Sequence, residues 1–355
     1  MQSPIVDIII PVWNNPFETR ACLAAILAHS PEARLIVVDN GSSRETELML
    51  EEFSEPLGDQ GLFIKSDRNV GLIPAINIGL ARSDGDFAVV LGPHVQVTPG
   101  WLEGLLAAAR TTDTGIVSPV FVGRNVPVTH PITRGSSTME TFGISFSGMM
   151  IKTELYMLVG GFDVEMDAGE WCLKDYIRRA WNKGFHTCVT SRSRVICGKE
   201  TVFGSNQRRL DRICLSRAGY HERWGGARHY AIYFGRKIDI GSLTETIDTI
   251  LQGARQGHTF SLLLHRRQNS AFQRLGWSAL HTGIQIKPLS PIMPKRDIIR
   301  QLKALKTAIP DLILVNGTEE SLFPGVEAAS PFSAVADAIA DFAPNLNESS
   351  PKEQL

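Results

Sequence analysis

Cysteine is scarce in this 355-residue sequence: Cys22, Cys172, Cys188, Cys197 and Cys214, five in all, with no CxxC pair among them. An odd and scattered set argues against a disulfide framework and against a structural zinc site, and it fits a reducing, cytoplasmic setting. No apolar run approaches the roughly 18 residues of a membrane-spanning helix. The opening MQSPIVDIIIPVW has neither a basic region nor a small-residue cleavage site, so a signal peptide is not expected. Neither sign of charge dominates: Lys+Arg is 36, Asp+Glu is 37, and the formal net charge is -1. That balance argues against a dedicated nucleic-acid binder. Tandem repeats are also missing. What is left is ordinary globular composition, 43% hydrophobic and 21% charged. The length suits two domains, or one large α/β domain with an extension.

The pattern that is present alternates strand and helix. Residues 5–10 are apolar and β-branched and read as a buried parallel strand ending at Pro11. A helix over 17–29, a strand over 34–38, a helix over 45–53, a strand over 62–65, a helix over 74–81 and a strand over 87–91 follow. This alternation predicts a mainly parallel sheet with helices on both faces. Ligands of such sheets bind beyond the carboxyl ends of the strands, here 11–15, 39–42 and 91–94. A helix over 101–110 and a strand over 115–122 come next, then a Thr/Ser/Pro/Gly-rich loop over 123–141. The spacing then predicts a strand over 143–151, a helix over 170–183 and one or two strands within 185–197.

Beyond residue 205, Arg208, Arg209, Arg212, Arg217, Arg223, Arg228, Arg236 and Lys237 crowd together with few acids. This run reads either as a solvated helix face or linker, or as a contact for phosphates or acidic lipid head groups at a membrane surface. From about residue 242 a second pattern predicts helices over 243–255, 269–281, 295–307 and 331–342, with strands over 259–264, 283–287 and 311–315. The expected division is a first domain at 1–235, a small three-stranded α/β domain at 236–344 and a disordered tail at 345–355. The small domain carries no motif, and an acceptor-binding, oligomer-forming or partner-holding role fits it equally.

Six stretches stand in order and spacing in the first half: IIIPVWNN (8–15), LIVVDNGSS (35–43), NVGLIPAINIGLARSDGDFAVVL (69–91), GWL (100–102), SGMMIKTELYMLVGGFD (147–163) and RRAWNKGF (178–185). Over residues 5–205 the chain resembles the family 2 glycosyltransferases, which have the GT-A fold. The resemblance implies a donor that is a nucleoside diphosphate sugar, UDP-linked, and an acceptor hydroxyl on a glycan or lipid-linked molecule. It implies that Asp39 accepts the N3–H of uracil, although a turn-capping Asp beside Gly41 would look the same. Pro11, Trp13 and Asn14 match the segment lining the nucleoside, where Trp13 either stacks on the ligand or sits in the core. Asn69 and Gly71 match a nucleotide-contacting stretch, and Asn77 either joins them or supports their loop.

The resemblance fails at three places. Manganese or magnesium would be the family's cofactor, held by acidic residues after the fourth strand. Here that segment reads VVLGPHVQV, with Leu91, Gly92, Pro93 and His94 near the expected sugar-nucleotide contact and with Gly92, His94 and Gln96 at the acidic or amide positions. No carboxylate is there to give a hard cation its oxygen ligands. The family's later His ligand corresponds to Cys197; a His94–Cys197 pair makes a weak zinc site at best. The catalytic acidic pair after GGFD (160–163) is also missing. Glu170 and Asp175 are the candidate bases, with Asp167 behind them. Glu170 reads equally as a helix cap and Asp175 as a surface residue. Two functions therefore stand side by side. One is sugar transfer without a metal, with Lys199, Arg208 and Arg209 offsetting the phosphate charge. The other is a fold that binds a nucleotide sugar or a protein partner without catalysis.

Overall fold

The β-branched start of the chain forms β1 (Val6–Val12), buried along its whole length. The computed structural model describes residues 4–123, 126, 128, 137–166, 170–198, 206–324 and 328–341, with the backbone alone for 206–209. After β1 come α1 (Pro16–His29), β2 (Arg34–Asp39), α2 (Arg44–Ser54), β3 (Gly61–Lys65), α3 (Leu72–Leu80), β4 (Phe87–Leu91), β5 (Val95–Val97) and α4 (Trp101–Ala108). Then follow β6 (Thr114–Val122), β7 (Thr138–Glu140), β8 (Gly148–Lys152), α5 (Thr153–Val159), α6 (Trp171–Asn182), β9 (His186–Cys197) and α7 (Asn206–Trp224). The chain divides into two compact units, Met1–His130 with Gly143–Arg223, and Pro131–Phe142 with Trp224–Leu355.

In the first unit the strands run β3-β2-β1-β4-β8-β6-β9-β5. β1 is parallel to β2 and β4, and β2 is parallel to β3, as the strand–helix alternation predicts. Parallel strands covered on both faces must be apolar on both sides, and Ile8, Ile10, Val37 and Val89 pack with Leu23, Ile26 and Trp101 in one core. β8 enters antiparallel to β4 and β6, and β5 antiparallel to β9, so the far half of the sheet is mixed. The register Val12↔Asp39 and Asp39↔Lys65 aligns the carboxyl ends of β1, β2 and β3 in one row. Pro11 does not end its strand. It lies inside β1 opposite Val38, because a proline in a parallel strand forfeits only its own N–H bond.

The second unit adds β10 (His229–Tyr233), α8 (Thr244–Arg255), β11 (Thr259–Leu264), α9 (Arg266–Arg274), β12 (Ile284–Pro288), α10 (Pro294–Ala308), β13 (Leu312–Asn316), β14 (Ser330–Pro331) and α11 (Phe332–Ala340). Its strands are all parallel, in the order β12-β11-β10-β13-β14. Five strands form this sheet where the periodicity predicted three. The central one, β10, lies upstream of residue 235, inside the basic run, and β14 has only two residues. Tyr230, Ile232, Ile250, Phe260, Leu262 and Phe272 fill its core. β7 belongs to this unit: Glu140 accepts from Nε and Nη2 of Arg255 on α8, both at 2.6 Å. No helix among the described residues is long and apolar enough to cross a membrane. The tail expected at 345–355 lies outside the described residues.

Candidate functional site

Three loops leave the carboxyl edge of β1, β2 and β3, and their side chains interlock. After β1, Asn14 and Asn15 both adopt left-handed backbone, φ 59 and 56. Asparagine tolerates this conformation, but two in succession are costly, and such cost gathers at ligand sites. The Asn14 N–H donates to Ser42 Oγ at 2.9 Å, and Asn14 Oδ1 accepts from the Ser43 N–H at 2.8 Å. The Asn40 N–H donates to the Val12 carbonyl at 2.8 Å. Asn40 Oδ1 accepts from the Val70 N–H at 2.8 Å, and its Nδ2 donates to Asn69 Oδ1 and the Gly71 carbonyl, both at 3.1 Å. Asn69 Oδ1 in turn accepts from the Gly71 N–H at 2.8 Å. Gly41 makes the crossing possible: at φ +71 its added Cβ would collide with the Arg68 carbonyl carbon.

Asp39 stands at the centre of this edge, 6% exposed. Its Oδ1 accepts from the Ser42 N–H at 3.0 Å, and its Oδ2 has no hydrogen-bond partner among the described residues. The carboxylate is thus oriented by the turn and keeps one acceptor atom for a donor edge. Trp13 is half-buried and Asn69 exposed on the same row of loops. Asn77 is placed differently. Its Nδ2 donates to the Phe162 carbonyl and its Oδ1 accepts from the Phe162 N–H, both at 2.9 Å, so it ties α3 to the GGFD turn, a role different from either weighed for it, since neither bond reaches the Asn69–Gly71 loop. Ser42 and Asn40 were not singled out from sequence; Asn40, buried beside Asp39, is the residue through which the second and third loops meet.

At the end of β4, Leu91 pairs with Gly148, and Gly92 N–H donates to the Ser147 carbonyl at 3.1 Å. The His94 imidazole folds over Gly92, with Nε2 3.1 Å from Ser147 Oγ. A Cβ added at Gly92 would come within 2.6 Å of His94 Cε1, so the imidazole fills the space a side chain at 92 would need. Pro93 is half-buried, and Gln96 is the exposed residue of β5, between buried Val95 and Val97. Cys197 pairs with Val95, and the Gly198 N–H donates to the His94 carbonyl at 2.9 Å, so the two segments expected to share a metal do lie together. Their donors do not suit the expected ion. Manganese and magnesium want carboxylate and carbonyl oxygens, whereas these segments offer an imidazole engaged with Ser147 and a buried thiol. No group of three or more His, Cys, Asp or Glu side chains able to hold a metal occurs among the described residues. Beneath Gly92, burial pushes the Cys22 thiol up to about 12, so it too is no thiolate ligand.

The candidate bases part company on α6. Glu170 is the N-cap residue without a capping side-chain bond, and its carboxylate is 65% exposed, held by Lys174 at 2.8 Å. Asp175 faces inward and is fully buried, which corrects its reading as a surface residue. Its Oδ2 accepts from Arg179 Nε and its Oδ1 from Arg223 Nη1, both at 2.8 Å. Arg179 also donates to the Val159 and Gly161 carbonyls, and Arg223 to Asp163 Oδ2 at 2.9 Å. This cluster clamps α5, α6, α7 and the GGFD turn, and it gives Arg223 of the basic run two carboxylate partners although its side chain stays 42% exposed. A carboxylate with both oxygens on guanidinium groups is poorly placed to take a proton from substrate. Asp167 and Lys199 lie outside the described residues, as do the side chains of Arg208 and Arg209 on α7.

Residues 7–164 match the family model described as Glycosyl transferase family 2. Glycosyltransferase AglE of Haloferax volcanii is 31% identical over 159 residues, 43% of this chain and 48% of that protein. Undecaprenyl-phosphate 4-deoxy-4-formamido-L-arabinose transferase of Proteus mirabilis is 32% identical over 109 residues, 30% of this chain and 33% of that protein. The chain therefore spans about half the length of the first and a third of the second. Among solved structures, GalNAc-T7 with UDP, GalNAc and Mn2+ aligns with a TM-score of 0.52 at 17% identity, covering 62% of this chain and 48% of that one. That likeness is one of fold. The matched stretch includes the whole interlocked edge from Asn14 to Gly71 and stops short of α6 and of the second unit's residues from Trp224 onward.

Proposed function

We propose, from the premise that residues 7–164 are a family 2 glycosyltransferase domain, that the protein transfers a sugar from a nucleoside diphosphate donor to a hydroxyl of a glycan or lipid-linked acceptor. The observation that carries this reading is Asp39, oriented by Ser42 with one oxygen left over at the junction of three loops. A spare acceptor atom on a largely buried residue suits the N3–H of uracil, and a donor edge left unmatched would be costly, which is how such a site discriminates. The lipid-linked acceptor is supported by the undecaprenyl-phosphate transferase among the relatives. In the reaction the acceptor hydroxyl loses its proton to a carboxylate as its oxygen attacks the anomeric carbon. The bond from that carbon to the diphosphate breaks, and the nucleoside diphosphate leaves with inversion. Glu170 is the base in this proposal, because it is exposed at a helix start whereas Asp175 is locked between two arginines.

The imidazole over Gly92 supports transfer without a divalent cation, with Lys199, Arg208 and Arg209 as the proposed counter-charge for the leaving diphosphate. The same imidazole favours a second reading, in which the domain binds a nucleotide sugar or a partner without turnover. The five cysteines carry no disulfide and support the proposed cytoplasmic location.

Calorimetric titration with UDP and GDP, with and without manganese, tests the proposal. UDP should bind without manganese, and Asp39→Ala should weaken it at least tenfold. Glu170→Gln should keep that affinity and lose about 10²–10⁴ in turnover. Binding that needs manganese would return a metal to the β4–β5 segment. Retained affinity in Asp39→Ala would overturn the role of this edge, and binding without turnover of any donor would select the second reading.

A further inference from the structure

The second unit has a carboxyl edge of its own that the proposed transfer does not use. From β10 the chain moves outward to β11 and β12, then returns across the sheet to β13 and β14 on the other side. Where the order of a parallel sheet reverses in this way, the loops leaving the two central strands diverge and open a crevice at their carboxyl ends. Here those strands are β10 and β13, followed by residues 234–239 and 317–324.

The crevice loops are tightly fixed. The Gly317 N–H donates to the Tyr233 carbonyl at 2.9 Å. Gly235 turns at φ +70, where an added Cβ would lie 3.0 Å from Ser321 Oγ. Gln268, buried on α9, donates through Nε2 to the carbonyls of Gly235 at 2.8 Å and Ile238 at 3.2 Å, and its Oε1 accepts from the His265 N–H at 3.0 Å. Onto this frame the sequence sets a polar cluster. Tyr233, the last residue of β10, has its hydroxyl 3.2 Å from His265 Nε2, just past β11. The Tyr233 ring packs against Phe323 with centroids 5.4 Å apart. Arg236 is exposed and forms no ion pair among the described residues. Its charge acts on both partners. Burial first, and then Arg236, hold His265 below its ordinary value, so the imidazole is neutral near pH 7. Burial raises the Tyr233 hydroxyl, which Arg236 opposes. Lys237 on the loop after β10 and Arg266 and Arg267 in the first turn of α9 are exposed nearby, and the acids on the two loops are Asp239, Glu319 and Glu320. The Asp239 carboxylate is turned onto the Gly241 N–H at 3.2 Å.

We propose that the carboxyl edge of the second sheet is a separate binding site for a phosphate-bearing small molecule, with Arg236 holding the phosphate oxygens and the Tyr233–His265 pair meeting a neighbouring polar group. A guanidinium matches phosphate oxygens two at a time. The first turn of α9, which starts at Arg266 on this edge, adds a favourable dipole. The Tyr233–His265 bond couples a donor and an acceptor beside the Phe323 ring, an arrangement suited to a sugar or base hydroxyl, while His265 also forms the N-cap of α9 in a capping box with Gln268.

Hydrogen exchange and calorimetry on the full chain with inorganic pyrophosphate test this site. Pyrophosphate should slow exchange at 234–239 and 265–269. Arg236→Gln, an exposed change, should weaken its binding at least tenfold, while Arg208→Gln in the first unit and Lys306→Gln elsewhere on the second should leave it within twofold. Exchange that is unchanged in the second unit would overturn the proposal, as would unaltered binding in Arg236→Gln. Equal weakening by Lys306→Gln would mean diffuse charge attraction, and loss in Arg208→Gln would move the anion to the first unit; either result sinks the site. Because the UDP titration reads Asp39 and this one reads Arg236, the failure of one leaves the other standing.

Discussion

Two buried aspartates sit at opposite ends of the first sheet and are treated in opposite ways. Asp7, at the amino end of β1, is fully buried and saturated. Its Oδ1 accepts from Arg34 Nε at 2.8 Å, and its Oδ2 from Arg34 Nη2, Ser83 Oγ and the N–H groups of Asp84 and Gly85 at 2.8–3.0 Å. Asp39, at the carboxyl end of β2, has one backbone donor and an oxygen to spare. Asp175 belongs with Asp7, since each of its oxygens meets a guanidinium. The difference separates carboxylates that hold the fold from one placed to meet a ligand. Burial alone does not make that distinction; the count of donors does.

The comparison can be broken by stability measurements. The largest loss should follow Asp175→Ala, because it leaves Arg179 and Arg223 without the fully buried carboxylate they share. About 3–5 kcal/mol is expected from denaturant unfolding, the usual cost of removing one partner from a buried ionic cluster. Asp7→Asn should cost about 2 kcal/mol, in the range for hydrogen bonds to a charged group, and should also flatten the acid limb. Burial opposes ionisation of Asp7, but the Arg34 guanidinium with Gly85, Ser83 and Asp84 more than offsets it and holds the carboxyl below its ordinary 3.8. Below that value the unfolded chain takes up a proton that the folded one still refuses. The contribution of Asp7 is therefore complete above about pH 4 and fades as pH falls through the folded-state value. Wild-type stability should drop over that interval more steeply than that of Asp7→Asn. The smallest effect belongs to Asp39→Asn, about 1 kcal/mol or less, since the amide oxygen still accepts from Ser42. A cost at Asp39 equal to that at Asp7 would erase the distinction.

Much of the first unit was legible because parallel strands buried on both faces leave long apolar signatures: β1, β2, β3 and β4 and the helices between them fall within a few residues of the sequence reading. The interlocked edge was legible only in part. Asp39, Asn14, Asn69 and Gly71 stand out as polar residues at strand ends, but Asn40 and Ser42 acquire their roles from bonds across 28–31 positions of chain. Asp175 was misread for a related reason. An acid between Lys174 and Arg179 on a helix reads as a surface residue, and its bond to Arg223, 48 residues on, which with Arg179 satisfies an acid on the inner face, cannot be read from the helix alone. In the second unit, β10 was hidden by its setting. HYAIY is a clear β-rich run, yet it is flanked by arginines that read as a linker. β14, with two residues, carries no periodicity at all. The order of the sheet, and with it the crevice between β10 and β13, could not be read without knowing that β10 is its middle strand.

The contact between Gly92 and His94 constrains how this chain could change. A carboxylate introduced at 92 would meet the imidazole at 2.6 Å from its first side-chain carbon. Removing His94 alone would strand the Ser147 hydroxyl without its ring partner and gain no oxygen ligand. The two positions are therefore coupled: a side chain at 92 requires the His94 ring to rotate away, and that rotation breaks its contact with Ser147.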